Sequence, residues 1–208
     1  LSSTASGVSK RQSLSDLLVF GKLAGVGAAQ YLQGISTPPK VMDDQAKAII
    51  RNATNILNRE SGQNPYLLHE ELEENMQSNV GIVRTAELLS AGIAKLESLK
   101  KSYKEVKAKG SSQYNPGWHE ALALRNLIIT AESVARAALL REESRGAHTR
   151  VDFPGEQDEW LHYNVVIYKG DDGKMAAGKI EREKPSPELE RIANLSIDEL
   201  EKEVAGEG

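Results

Sequence analysis

The chain has 208 residues, of which 39% are hydrophobic and 27% are charged, so it can bury a core as one domain or as one domain with appendages. The formal net charge of −4 argues against nucleic acid as the main partner, and the absence of cysteine excludes disulfides and thiolate metal sites. The longest apolar run, residues 14–31, is interrupted by three glycines and carries Asp16 and Lys22, which argues against direct membrane insertion. Few aromatic residues, at 5%, and many Ala, Leu, Glu and Lys residues favour a mainly α fold.

Residues 1–12 are small and polar and show no periodicity, so they predict a disordered linker or a vector-derived remnant.

Ser13 is a suitable N-cap residue, with Asp16 three positions later in capping-box spacing, so we expect a helix to begin there. Small and apolar residues then recur on one helical face, at Leu14, Leu17, Leu18, Gly21, Ala24, Gly25 and Ala28. That face requires a closely packed partner. Pro38-Pro39 marks the end of this first unit, residues 13–40.

Residues 41–144 predict an antiparallel three-helix bundle of the spectrin-repeat type. Helical periodicity marks residues 42–56, 66–107 and 118–143, with breaks at Ser61-Gly62, at Asn64-Pro65 and across residues 110–117. The middle helix would be roughly 60 Å long, and Gly81 and Gly92 weaken it. Trp118 is interpreted as an anchor at the end of the bundle.

Residues 145–184 predict a loop followed by a β-hairpin. Residues 145–159 are rich in charge, Gly and Pro, and residues 163–169 form a β-branched run. The turn sequence at residues 170–173 predicts that residues 174–183 return as the second strand. Residues 185–208 predict an acidic tail with one short helix at residues 197–204.

Two segments carry a family resemblance. Residues 13–21 read SLSDLLVFG, followed by Ala24-Gly25, and residues 143–154 read ESRGAHTRVDFP. In this order, and separated by a helical region, the two segments resemble the C-terminal portion of succinate dehydrogenase/fumarate reductase flavoprotein subunits, across residues 13–183. The resemblance implies that residues 13–40 are the terminal helix of the flavin-binding domain and a linker, and that the C-terminal helical domain follows. L-Aspartate oxidase also has an ESRG-His segment, but it tends to carry apolar or uncharged residues where this chain has Thr149-Arg150. An L-aspartate oxidase-like domain and a non-catalytic helical interaction module remain alternatives, with adenylylsulfate reductase more distant.

The resemblance implies a parent enzyme in which FAD interconverts succinate and fumarate and passes electrons to an iron–sulfur subunit. Membrane anchor subunits would hold that enzyme at the inner, cytoplasmic face of the cell membrane. The chain contains no G-x-G-x-x-G fingerprint, and the family's proton-shuttle Arg and substrate His have no counterpart in it. Arg11 is not in register with the family's substrate-binding Arg. We therefore expect no catalytic residue, no bound flavin and no activity in this chain alone, and we expect its own flavin-binding domain to be a partner.

The resemblance also assigns candidate site residues. It implies that the backbone amides of Ser13 and Leu14 meet the flavin ring at a helix N-terminus, where the helix dipole stabilises the negative charge of reduced flavin. It further implies that a loop bearing Arg145, His148 and Arg150 packs the helical domain against the flavin domain. We expect a structural role for His148, because no nucleophile or carboxylate partner is fixed by sequence. The other histidines, His69, His119 and His162, lack metal-ligand spacing, so no metal is assigned.

Overall fold

The protein is described by a computed structural model that covers residues 10–205, with side chains for residues 17–203. The fold is mainly α with a small antiparallel hairpin, as the composition and the periodicity predict. In chain order the elements are α1 (Lys10–Gln33), α2 (Asp43–Asn58), α3 (Pro65–Asn79), β1 (Val83–Arg84), α4 (Ala86–Tyr103), α5 (Pro116–Leu140), β2 (Thr149–Arg150), a 3-10 helix (Asp158–His162), β3 (Tyr163–Lys169), β4 (Met175–Glu181), α6 (Pro187–Asn194) and α7 (Ile197–Ala205).

The core lies between α3, α4 and α5, each of which contacts the other two, while α2 packs against α5. Apolar side chains at three- and four-residue steps place a continuous stripe of each helix inside. The most deeply buried apolar residues of this core are Leu68, Leu72, Val80, Leu89, Leu96, Leu99, Val106, Ala108, Ala121, Leu124, Ile128 and Ala135.

The predicted long helix over residues 66–107 is wrong. The structure divides it into α3 and α4, so the central bundle consists of α3, α4 and α5, and α2 is an additional helix. Two features of the sequence explain the break. β-Branched residues surround Gly81 at positions 80–83, and Thr85 is a good N-cap residue. In the structure the Thr85 hydroxyl caps α4 by accepting a hydrogen bond from the Leu88 amide at 3.2 Å.

Gly92 allows α4 to return close to the end of α3. A Cβ atom at Gly92 would lie 2.9 Å from Val80 Cγ2 and 3.1 Å from Asn79 Cβ, closer than packed carbon atoms approach. The buried Asn75 side chain also donates to the Gly92 carbonyl at 3.1 Å. The glycine that weakens a single long helix is therefore the contact point between two shorter ones.

The segment after α4 ties α2 to the bundle. The Gln63 amide donates to the Glu105 carbonyl at 2.7 Å, and the Ala108 amide donates to the Ile56 carbonyl at 3.1 Å. The Trp118 indole donates to the Ala53 carbonyl at 2.9 Å, so this residue links α5 to α2.

The hairpin has the predicted strands and turn. Tyr163 pairs with Glu181 at one end and Lys169 pairs with Met175 at the other, and both strands contact α5. Gly173 has φ 77°, a left-handed conformation that favours glycine in the turn.

The acidic tail contains two helices instead of the one predicted. The sequence signal for α6 is the N-cap at Ser186, whose hydroxyl accepts from the Leu189 amide at 3.3 Å, followed by Pro187 in the first turn. Arg191 of α6 forms an ion pair with Glu203 of α7 at 2.7 Å, which holds the two helices together.

The described part of α1 starts at Lys10 and includes Ser13 within the helix, so Ser13 is not its N-cap residue. Residues 10–12 of the predicted linker, which are good helix formers, extend the helix; residues 1–9 lie outside the described part of the chain. Every described side chain of α1 is exposed, including Leu18 at 76%. Apart from adjacent residues and the backbone of the helix itself, no described atom lies within 4 Å of a Cβ built on Gly21, Gly25 or Gly27, so the small-residue face has no packing partner in the described chain.

Among the described helices, none has both the length and the apolar character needed to cross a bilayer.

Candidate functional site

The segment from residue 141 to residue 157, called here the bundle-end loop, folds back over one end of the helical core. A short parallel pairing of β1 with β2 fixes its position, with Val83 opposite Thr149 and Arg84 opposite Arg150. The Val151 amide continues the pairing by donating to the Arg84 carbonyl at 2.9 Å. The loop therefore joins the connection between α3 and α4 to the end of α5.

Arg150 is the central side chain of the loop and is only 1% exposed. Its Nη1 donates to the carbonyls of Ala138, Leu139 and Arg141 at 3.0 to 3.1 Å. These carbonyls belong to the last turn and C-cap of α5, where the helix has no internal donors for them and the dipole favours a cation. Arg150 thus caps the C-terminus of α5 from β2.

Asp152 links the same arginine to the start of α4. Its two carboxylate oxygens accept from Arg150 Nε and Nη2, both at 2.8 Å, in a bidentate pair. Its Oδ2 also accepts from the Ala86 amide, the first of α4, at 2.8 Å. The hydrogen bonds from Arg150, helped by that amide and opposed by burial, hold the pKa of Asp152 well below its usual value. One ion pair therefore connects the C-terminus of α5 to the N-terminus of α4.

His148 bridges β1 and α5. Its Nδ1 lies 2.7 Å from Arg84 Nη1, and its Nε2 lies 3.1 Å from the Arg141 carbonyl oxygen. A guanidinium only donates hydrogen bonds, so Nδ1 must be the acceptor, and Nε2 carries the proton that it donates to Arg141. Burial is the main cause that lowers the pKa of His148; the hydrogen bond to the Arg141 carbonyl opposes it, and the charges of Arg84, Arg150 and Arg141 act with burial.

Glu143 and Arg145 form a second ion pair in the loop. Glu143 is fully buried and accepts from Arg141 Nε at 2.8 Å, from Arg145 Nε at 3.1 Å and from the Gln157 amide at 2.9 Å. Burial acts to raise the pKa of Glu143, but the hydrogen bonds from Arg145, Gln157 and Arg141 outweigh it and the pKa is lowered. Arg145 also donates to Glu156 at 2.7 Å, so it joins both ends of the loop.

The structure brings Arg145, His148 and Arg150 into one loop, each with hydrogen-bond partners inside the chain. Their contacts go to helix ends and carboxylates. In the described part of the chain no group of His, Asp and Glu side chains is arranged to hold a metal ion. Chemically, the arrangement joins helix ends through ion pairs and hydrogen bonds.

Asp152 and Arg84 are members of this network and are not among the candidate site residues predicted from the sequence. Asp152 has a readable signal, because it stands two positions after Arg150 and so shares its face in extended chain. Arg84 has none, because its role depends on the β1–β2 pairing across the whole bundle.

The candidate flavin contacts, Ser13 and Leu14, lie within the described part of α1. The contact of their backbone amides with a flavin ring stays a prediction from the resemblance.

The helical region matches a known protein family. A sequence model of the family described as "Fumarate reductase flavoprotein C-term" matches residues 69–192, more than half of the chain. The chain belongs to this family. The resemblance drawn from residues 13–21 and 143–154 is thereby confirmed, and the chain is the C-terminal domain of a succinate dehydrogenase/fumarate reductase flavoprotein subunit.

Individual relatives agree with the family. The fumarate reductase flavoprotein subunit of Proteus vulgaris is 37% identical over 143 residues, which is 67% of this chain and 24% of the relative. The succinate dehydrogenase flavoprotein subunit of Rickettsia bellii is 32% identical over 170 residues, which is 81% of this chain and 28% of the relative. This flavoprotein C-terminal domain thus spans about a quarter of the curated relatives it matches.

Solved structures share the fold. A chain of the Sdh1 complex of Mycobacterium smegmatis in its apo form superposes with a TM-score of 0.81 and 36% identity, over 92% of this domain and 33% of that chain. Adenylylsulfate reductase from Archaeoglobus fulgidus, at 17% identity and a TM-score of 0.67, shares the fold alone.

Proposed function

We propose that this domain acts as part of an FAD-dependent enzyme that interconverts succinate and fumarate. The family match over residues 69–192 carries the proposal, together with the fact that the chain spans about a quarter of its curated relatives. FAD in the joined enzyme supplies hydride transfer to and from the dicarboxylate. In this proposal the residues of this domain take no part in that chemistry. The domain packs beside the flavin domain as a rigid helical body.

The exposed face of α1 is the surface proposed for the flavin-binding domain. Apolar residues such as Leu18 and Phe20 are 76% and 65% exposed, and the three glycines on the helix have open space around them. A helix with this composition is stabilised when another element buries it. We assign the flavin contact of Ser13 and Leu14 only to the joined protein.

The same proposal extends to the surroundings of the enzyme. The flavoprotein would pass electrons to an iron–sulfur subunit, and membrane anchor subunits would hold the complex peripherally at the cytoplasmic face of the cell membrane. The bundle-end loop with Arg145, His148 and Arg150 would face the flavin domain from the helical side. Nucleic acid has no place among these partners, in keeping with the net charge of −4.

The decisive experiment starts from the upstream sequence of the gene. The longer reading frame is expressed and compared with this chain alone, by visible flavin absorbance and by turnover of succinate, of fumarate with a reduced dye, and of L-aspartate. We expect bound flavin and succinate or fumarate turnover in the longer protein, and neither in the chain alone. Turnover of L-aspartate without succinate would refute the proposal in favour of an L-aspartate oxidase, and a start codon close to Leu1 would favour a free-standing helical module.

A further inference from the structure

His148 is held in one protonation state by its two neighbours. The side chain is 6% exposed, Arg84 Nη1 donates to its Nδ1 at 2.7 Å, and its Nε2 donates to the Arg141 carbonyl at 3.1 Å. A second ring proton would sit on Nδ1 and point at the donor group of Arg84. Protonation would therefore replace a hydrogen bond by a contact between two donors that both carry positive charge.

The charged groups around the ring are cations on every side. Arg84 faces it from β1, Arg141 from the end of α5, and Arg150 from β2. Within the loop, Arg145 forms a backbone bridge with His148. Three of the four carboxylates of the loop have other partners: Asp152 accepts from Arg150 and the Ala86 amide, Glu143 accepts from Arg141, Arg145 and the Gln157 amide, and Glu156 accepts from Arg145. The fourth, Glu142, is exposed, and none of the four forms a hydrogen bond with the imidazole to stabilise its charged form.

We propose that His148 is an acid-sensitive latch: its neutral ring holds the bundle-end loop against β1 and the end of α5, and uptake of one proton releases that loop. The release breaks the backbone bonds that close the loop, namely Arg145 amide to His148 carbonyl at 2.9 Å and Val151 amide to Arg84 carbonyl at 2.9 Å. Arg84 keeps other partners after release, because its Nε donates to the Val80 and Gly81 carbonyls. The proposal rests on this geometry and is independent of which substrate the parent enzyme uses.

The direction of the pH dependence follows from the lowered pKa of His148, for which burial is the largest cause. When the loop is open, the pKa of His148 is about 6.5, its ordinary value. Because the pKa is lower when the loop is closed, the neutral ring stabilises the closed loop fully at pH values above about 6.5. That stabilisation is lost as the pH falls from about 6.5 towards the lower pKa of the closed state. Within this window the opening constant rises by at most about tenfold per pH unit, the limit for one proton.

Amide hydrogen exchange of this chain tests the latch. The exchange rate of each amide is measured at several pH values from about 7.5 to about 5 and is divided by its intrinsic exchange rate to give the protection. We expect the protection of the Arg145 and Val151 amides to fall with pH, while amides of β3 and β4 keep their protection. In H148Q the amide side chain can accept from Arg84 and donate to Arg141 but cannot be protonated, so the pH dependence should disappear. The control H162Q, at an exposed histidine of the 3-10 helix, should retain it.

Unchanged protection of the loop amides across this range, or an H148Q variant with the same pH dependence as the parent, would overturn the proposal. An NMR titration of the parent chain serves as the second measurement if H148Q fails to fold. It should show the Nε2-protonated tautomer at neutral pH and a lowered pKa for His148. A ring protonated at Nδ1, or a His148 pKa at or above about 6.5, would refute the latch directly.

Discussion

Replacement of Arg150 by methionine is the sharpest test of the bundle-end loop. The side chain makes five hydrogen bonds, two to Asp152 and three to the carbonyls that end α5. R150M keeps an apolar stem of similar length and removes all five. It leaves the Asp152 carboxylate without its cation and the last carbonyls of α5 without a donor.

The expected loss can be estimated from burial. Removal of one partner of a buried ion pair costs about 3–5 kcal/mol. Asp152 is 29% exposed and keeps the Ala86 amide, so the lower end of that range applies. We expect R150M to lose about 3 kcal/mol of the free energy of unfolding, which corresponds to a fall in Tm of about 6–12 °C for a domain of this size.

Urea unfolding followed by tryptophan fluorescence measures this loss as a shift of the midpoint at constant slope. R150K keeps the positive charge but not the bidentate geometry, so it should lose about half as much. D152N keeps an acceptor for the Ala86 amide and should lose about 1–2 kcal/mol. In the double variant R150M D152N the two losses should overlap by about 1–2 kcal/mol, since the partners interact directly. A loss below about 1 kcal/mol in R150M, or full additivity of the two single variants, would show that the ion pair does not hold the loop.

Three further outcomes follow from particular contacts. G92A should destabilise the bundle by about 1–3 kcal/mol, because its new methyl group meets Val80 and Asn79. G25A, in the open surroundings of α1, should be neutral or slightly stabilising, because alanine has the higher helix propensity. Thermal unfolding of both variants checks this. W118F removes the hydrogen bond to the Ala53 carbonyl and should cost about 1 kcal/mol, with faster amide exchange in α2 as the specific sign; unchanged exchange there would contradict the assigned link. Acid should unfold the domain in a second step below the histidine window, because the pKa values of Asp152 and Glu143 are lowered by their hydrogen bonds with Arg150 and Arg145. Their stabilisation is present above the unfolded pKa values of 3.8 and 4.5 and is lost as the pH falls below them, so the parent chain should lose stability there more steeply than D152N does.

Local signals in the sequence predicted the hairpin well and the middle of the bundle poorly. The turn at residues 170–173 lies between two β-type runs, and both strands and their pairing follow from neighbours in the chain. The break between α3 and α4 was missed because the apolar spacing continues through it, although Gly81 and Thr85 mark a helix end and a helix start. The capping residue Ser13 predicts a helix start, but residues 10–12 are also helical in the structure because Lys, Arg and Gln are good helix formers.

The sequence predicts the cluster in the bundle-end loop but not the partners of its side chains. The segment ESRGAHTRVDFP pointed to a structural cluster, but the partners of its side chains are α5 carbonyls, the Ala86 amide and Arg84. The α5 carbonyls and the Ala86 amide are backbone groups, which every residue except proline supplies in full. The residue types in the sequence therefore do not identify these partners. Arg84 lies 64 positions from His148, and only the packing of α3, α4 and α5 brings the two together.

The separation of these partners along the chain has a kinetic consequence. The Ala86 amide and Asp152 are 66 residues apart, whereas α3, α4 and α5 contact neighbours that follow closely in sequence. Contacts that close a long loop form late, after local contacts have reduced the entropy of closure. Substitutions in the bundle-end loop should therefore accelerate unfolding and leave the refolding rate nearly unchanged, so the loop sets the lifetime of the folded domain more than the speed at which it forms.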